Sequence, residues 1–167
     1  MSGPAGPDGP DDRPLVVGIG NDLRRDDAVG RTVARRLAPR VGSAVRVVES
    51  DGEVGRLLDL WDGAKRVIVV DATRSGAPPG TVRRWAPGPE QPAPAPSSYG
   101  STHGLSLAEA IGLADLLGRR PPGLELLGIE GADFGLGAEL SPPVRRAAER
   151  VVRRLAAELG RPADRRS

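Results

Sequence analysis

The chain has 167 residues, which fits one domain large enough to bury about two-thirds of the surface its unfolded form exposes. Lys and Arg total 24 against 22 Asp and Glu, a formal net charge of only +2, and the arginines are scattered, which argues against a nucleic-acid partner. Cysteine is absent, which removes disulfides, thiolate nucleophiles and Cys-ligated zinc, while Trp61, Trp85, Tyr99 and Phe134 are the only aromatics, so the core must be aliphatic and base stacking is disfavoured.

In chain order, residues 1–13 read as a disordered Gly/Pro/Asp leader without the apolar stretch of a signal peptide. No apolar run approaches the ~20 residues of a membrane span, so a soluble, cytoplasmic protein is expected. Leu15–Ile19 is a short apolar strand, and Ala28–Leu37 an amphipathic helix with Val29, Val33 and Leu37 on one face. A strand over Val45–Val48 precedes a helix capped by Ser50 or Asp51 and running to about Trp61. Arg66–Val70 has the β-branched lettering of a strand covered on both faces, and the more polar Thr81–Trp85 suits a sheet edge.

Ala86–Thr102 is a Pro/Ala/Ser-rich connector of the length that is usually functional or disordered. Ser106 and Glu109 match a capping box, opening a helix with Ala108, Ile111 and Leu116 inward that stops at Gly118. Leu124–Ile129 is another strand. Ser141-Pro142 then starts a last helix, with Val144, Val151, Leu155 and Leu159 inward, that ends at Gly160 before a polar tail over 161–167. The alternation predicts one α/β domain over 14–160, with a mostly parallel sheet of about five strands and helices on both faces.

In such sheets ligands bind beyond the carboxyl ends of the strands. Three acid-bearing turns are expected there: Gly20–Asp27, Ser50-Asp51-Gly52, and the strand end Asp71. Gly18 and Gly20 lack a Cβ and so allow a close backbone approach, although Asp26 or Asp27 before a helix is most often simply an N-cap. The third glycine of a dinucleotide fingerprint is missing, Leu23 standing in its place, and two acids follow that would repel a pyrophosphate. A nucleotide-binding domain is therefore the weaker alternative. His103 is the only histidine. One imidazole and two carboxylates from three segments can hold nickel, zinc, iron or copper, and the spacing alone does not choose among them. No Gly-x-Ser-x-Gly elbow supports a serine triad.

Together these motifs resemble the hydrogenase maturation proteases. The resemblance runs through Gly18-x-Gly20-Asn21-x-Leu23-x-x-Asp26-Asp27-x-x-Gly30, Asp51-Gly52-x-x-Gly55-x-x-Leu58, Val70-Asp71-Ala72, Ser101-Thr102-His103, Gly128-Ile129-Glu130 and Leu140-Ser141-Pro142-x-Val144. It implies a three-layer α/β/α domain with a twisted, mixed sheet. It also implies an endopeptidase that removes the carboxy-terminal extension of a [NiFe] hydrogenase large-subunit precursor after nickel insertion. Asp27, Asp71 and His103 would meet nickel presented by that substrate, Asp27 or Asp71 would serve catalysis, and Asn21, Asp51 and Gly52 would contact the substrate. A non-enzymatic nickel-binding checkpoint or chaperone is the alternative from another class. Glu53 and Val54 depart from the family pattern of a small residue followed by threonine, and the 86–98 stretch is expanded. Oligomeric state is not read from the sequence.

Overall fold

The structure is a computed structural model that describes residues 11–88 and 102–160, except for the side chains of residues 102–106. Most of the expected leader, the core of the proline-rich connector and the tail over 161–167 lie outside the described residues. Five strands form one sheet: β1 (Leu15–Ile19), β2 (Arg46–Ser50), β3 (Arg66–Thr73), β4 (Val82–Trp85) and β5 (Gly123–Glu130). Their order is β2-β1-β3-β5-β4. All pairs are parallel except β4 with β5, so the mixed sheet and the edge position expected for residues 81–85 are both present.

Four helices cover the sheet: α1 (Val29–Val41), α2 (Val54–Trp61), α3 (Thr102–Leu116) and α4 (Pro142–Leu159). Strand side chains alternate between the faces, and the buried residues divide accordingly. Val16, Ile68, Val70, Leu127 and Ile129 join α1 and α4 in one aliphatic cluster. Leu15, Val17, Ile19, Val67, Val69, Leu124 and Leu126 face α2 and α3 in the other. Helix layers on both sides of one sheet are the three-layer architecture the alternation predicts.

Several local expectations need correction. α2 is capped by Glu53, whose carboxylate accepts from the Gly55 and Arg56 amides at 2.8 and 2.9 Å. Ser50 and Asp51 instead bond two residues onward, to the Gly52 and Glu53 amides. α3 begins at Thr102, so Ser106 lies inside the helix and does not start it. Leu107, Ala110, Ile111 and Ala114 are its inward residues, whereas Leu116 is exposed. Ile111 is inward as expected and Ala108 is half-buried, but the helix is apolar on most sides, so its periodicity did not place Leu116 correctly. α1 continues past Leu37 through Pro39, because Val41 is still buried against the core.

Glycines of the first turn serve packing. A Cβ on Gly18 would fall 2.2 Å from the Gly30 carbonyl oxygen, and one on Gly20 would fall 2.3 Å from that of Asp27. A Cβ on Gly30 would fall 2.2 Å from the Ile19 oxygen and 2.3 Å from the Val70 oxygen. The close approach permitted by Gly18 and Gly20 is thus taken up by the protein's own helix and turn, not left for a ligand.

Candidate active site

The parallel register aligns β1, β2, β3 and β5 so that their carboxyl ends share one edge. Four carboxylates are buried there: Asp26, Asp27, Asp71 and Glu130. Burying a carboxylate is costly unless donors compensate it, so the hydrogen bonds distinguish their roles.

Asp26 is fully buried and does not cap α1, which has no side-chain N-cap bond. It joins two loops. Its Oδ2 accepts from the Ala132 and Asp133 amides and the Ser141 hydroxyl at 2.8, 2.9 and 2.8 Å, and its Oδ1 accepts from the Ser141 amide at 2.7 Å. Ser141 stands at the N-cap position of α4, yet its hydroxyl donates to Asp26 and accepts no bond from the helix amides. Glu130 anchors a second loop, accepting from the Thr73 and Ser75 hydroxyls and the Ser75 and Gly76 amides. Sequence reasoning assigned neither structural role. Their partners lie 54 to 115 residues away, beyond the reach of any local pattern, although an acid after an apolar run marks Glu130 just as it marks Asp71. Asp71 lies inside β3 and not at its end as expected, the strand continuing to Thr73 in register with β5.

Asp27 sits in a 3-10 turn (Arg25–Ala28) that leads into α1 and lies against β3. Asp71 continues the row Val67, Val69 on the face covered by α2 and α3, and its Oδ1 accepts from the Ala72 amide at 2.8 Å. The topology also locates the first turn of α3. β5 runs parallel to β3 and follows α3 after a short link, so α3 ends at the amino edge of the sheet and begins at the carboxyl edge. The Arg119–Asp62 ion pair, 2.8 Å long, ties the link after α3 to the end of α2 at that amino edge. Fifteen helical residues span about 22 Å, close to the length of an eight-residue strand. The His103 backbone is therefore at the edge that carries Asp71 and on the same face of the sheet. Its side chain lies outside the described residues. Among the described residues, no three His, Cys, Asp or Glu side chains cluster as a metal site.

The expected substrate contacts fall on the same edge. Asn21 Oδ1 accepts from the Leu23 amide at 3.0 Å, closing a local turn. Asp51 is exposed, whereas Gly52 is buried with a φ of 87°, a left-handed conformation that favours glycine.

Fold and edge together define an α/β protein with buried acids gathered at the carboxyl edge of its sheet. Comparison with known proteins makes this class specific. The model of the family HycI, hydrogenase maturation protease, matches residues 29–158. The hydrogenase expression/formation protein HupD of Bradyrhizobium diazoefficiens is 34% identical over 138 residues, covering 81% of this chain and 71% of that protein. HupD of Rhizobium leguminosarum bv. viciae is 33% identical over 145 residues, covering 85% and 71%. Among solved structures, the hydrogenase maturating endopeptidase HybD from E. coli superposes with a TM-score of 0.74 at 28% identity, covering 88% of this chain and 91% of that one. The chain belongs to the hydrogenase maturation protease family and is an endopeptidase of that family. Among the described residues, no helix is long and apolar enough to cross a membrane.

Proposed function

We propose that this endopeptidase removes the carboxy-terminal extension of a [NiFe] hydrogenase large-subunit precursor, in the cytoplasm and after nickel insertion. The observation that carries the reading is the pair of buried aspartates, Asp27 and Asp71, at one sheet edge of a chain from the maturation protease family. Asp27, Asp71 and His103 act as the groups that meet the substrate's nickel. Nickel reaches the site as part of the substrate, so a protein without the metal in its bond path fails to be held in a productive pose. Its charge favours negative charge developing on the scissile carbonyl. One of the two aspartates takes the proton of the attacking water, which requires it to be ionised and within hydrogen-bond reach. Asn21, Asp51 and Gly52 border the bound peptide.

The test uses one precursor prepared with and without nickel, and protease stripped by chelator. Mass spectrometry of the large subunit should show removal of the extension only from the nickel-loaded form. Asp27→Asn, Asp71→Asn and His103→Ala should each lower that rate at least 100-fold. Equal cleavage of loaded and metal-free precursor would overturn the nickel check.

A further inference from the structure

The signature around the first turn contains one residue that neither packing nor the chemistry above uses. Gly18, Gly20 and Gly30 serve close packing, Asn21 closes a turn, and Asp26 clamps two loops. Leu23 remains, and it is 72% exposed. Leu136, on the loop that Asp26 clamps, is 78% exposed. The two are not scattered surface leucines. A parallel bridge pairs Arg24 with Gly137, which puts Leu23 and Leu136 at neighbouring register positions.

The pair is rigidly held. The Gly137 amide donates to the Leu23 carbonyl and the Arg25 amide to the Gly137 carbonyl, each at 3.0 Å. Arg25 Nε donates to the Leu136 carbonyl at 3.2 Å. Arg25 itself has a φ of 39°, a conformation uncommon for a residue with a side chain. Asp26 fixes the base of both loops. Groups already fixed lose little freedom on binding, so more of their contact energy appears as affinity. Arg24, exposed beside them, makes no ion pair among the described residues.

We propose that Leu23 and Leu136 form a docking ridge for the protein substrate, entering an apolar recess with an acidic border on the folded precursor. This rests on the function proposed above. The occupant follows from position: the ridge begins four residues before Asp27, on the edge where the precursor must lie to be cut, and Arg24 supplies a charge for the acidic border. Among the described residues, the other exposed leucines are Leu113 and Leu116 on the later turns of α3 and Leu117 just after it, towards the opposite edge, and they serve as controls.

The experiment compares wild type, Leu23→Ser/Leu136→Ser and Leu116→Ser. Processing of nickel-loaded precursor is followed over a range of precursor concentrations, and precursor binding is measured in parallel by interferometry. The double variant should retain the wild-type melting temperature while KM and Kd each rise at least tenfold, with kcat within twofold. Leu116→Ser should match wild type. An unchanged KM and Kd in the folded double variant, or a fall in kcat alone, would overturn the ridge. Binding without cleavage by wild type would refute the proposed activity while still testing the ridge through Kd. A wild type that neither binds nor cuts would refute both. If the double variant melts early, Leu136→Ser alone, expected to raise Kd at least threefold, provides the same decision.

Discussion

Replacing Asp26 with alanine removes the clamp between the first turn and the 131–141 loop, and the structure sets the size of the loss. The carboxylate is fully buried and accepts four hydrogen bonds, three from backbone amides. A hydrogen bond to a charged group contributes about 1.5–3 kcal/mol, but the four are not additive, and a loop that opens re-exposes its amides to water. The expected loss is ~3–5 kcal/mol, the range for breaking a buried charged network. That is a large part of the ~5–15 kcal/mol typical of a folded domain. Asp26→Asn should cost less, ~1–3 kcal/mol: one amide oxygen can replace the three-bond acceptor, but its NH2 then faces the Ser141 N–H. Urea denaturation of the three proteins would give the differences. Hydrogen exchange should show faster exchange at the Ala132, Asp133 and Ser141 amides in both variants. An Asp26→Ala stability within about 0.5 kcal/mol of wild type would refute the clamp.

Two further predictions concern packing and pH. Gly30→Ala should destabilise by ~3 kcal/mol or more, since its methyl would meet two backbone oxygens that cannot rotate away. Gly112→Ala, where a Cβ meets nothing within 4 Å, should stabilise α3 by roughly 0.5–1 kcal/mol; thermal melts of both would expose an error in either. Glu158 accepts from both Arg84 Nη atoms at 2.8 Å and also from Arg66. These guanidiniums, Arg84 first, lower its pKa from the usual 4.5 to about 2. A carboxyl held more acidic in the fold stabilises fully above the unfolded value and loses that contribution as pH falls from about 4.5 towards 2. Discounted for solvent screening, the contribution is ~1–2 kcal/mol. Glu158→Gln should therefore be less stable than wild type at pH 7 and converge with it near pH 2, and a constant gap across that range would refute the assignment.

Strands were the most legible part of the sequence. Contiguous β-branched runs such as Arg66–Val70 have few other stable placements, and parallel pairing follows from the intervening helices. Helix starts were less legible because they depend on which side chain reaches which amide. Ser50, Asp51 and Glu53 all suit a cap, and only the chain's path at β2 selects Glu53. Leu116 of α3 was misplaced, though Ile111 was not, because leucines occur on both the buried and exposed sides of this helix. At the edge of the sheet, the apolar strands draw attention to the acids of the first turn and to Asp71, but the preference for Asp27 over Asp26 comes from the family resemblance alone. The neighbouring acids could not be assigned, since the amides they satisfy come from distant loops. Asp26 and Glu130 look like candidates for chemistry until those amides are located.

The contact at Gly30 explains why the signature's last glycine matters to the candidate site, although it is not at the site. Gly30 lies three residues after Asp27, and its missing Cβ leaves room for the carbonyls of Ile19 and Val70. Val70 immediately precedes Asp71. The same contact that seats α1 on the sheet therefore sets the height of Asp27 relative to the strand end that carries the second aspartate. A helix raised by one methyl group would shift Asp27 along the edge, while Asp71, held within the β1-β3-β5 register, would stay in place. Spacing between two acids from distant segments is thus set by a packing constraint between them, and a misplacement of about 1 Å is enough to cost an enzyme on the order of 100-fold in rate. Gly30→Ala is therefore expected to slow processing of the nickel-loaded precursor even where the variant still folds, and a folded variant that cleaves at the wild-type rate would refute the argument.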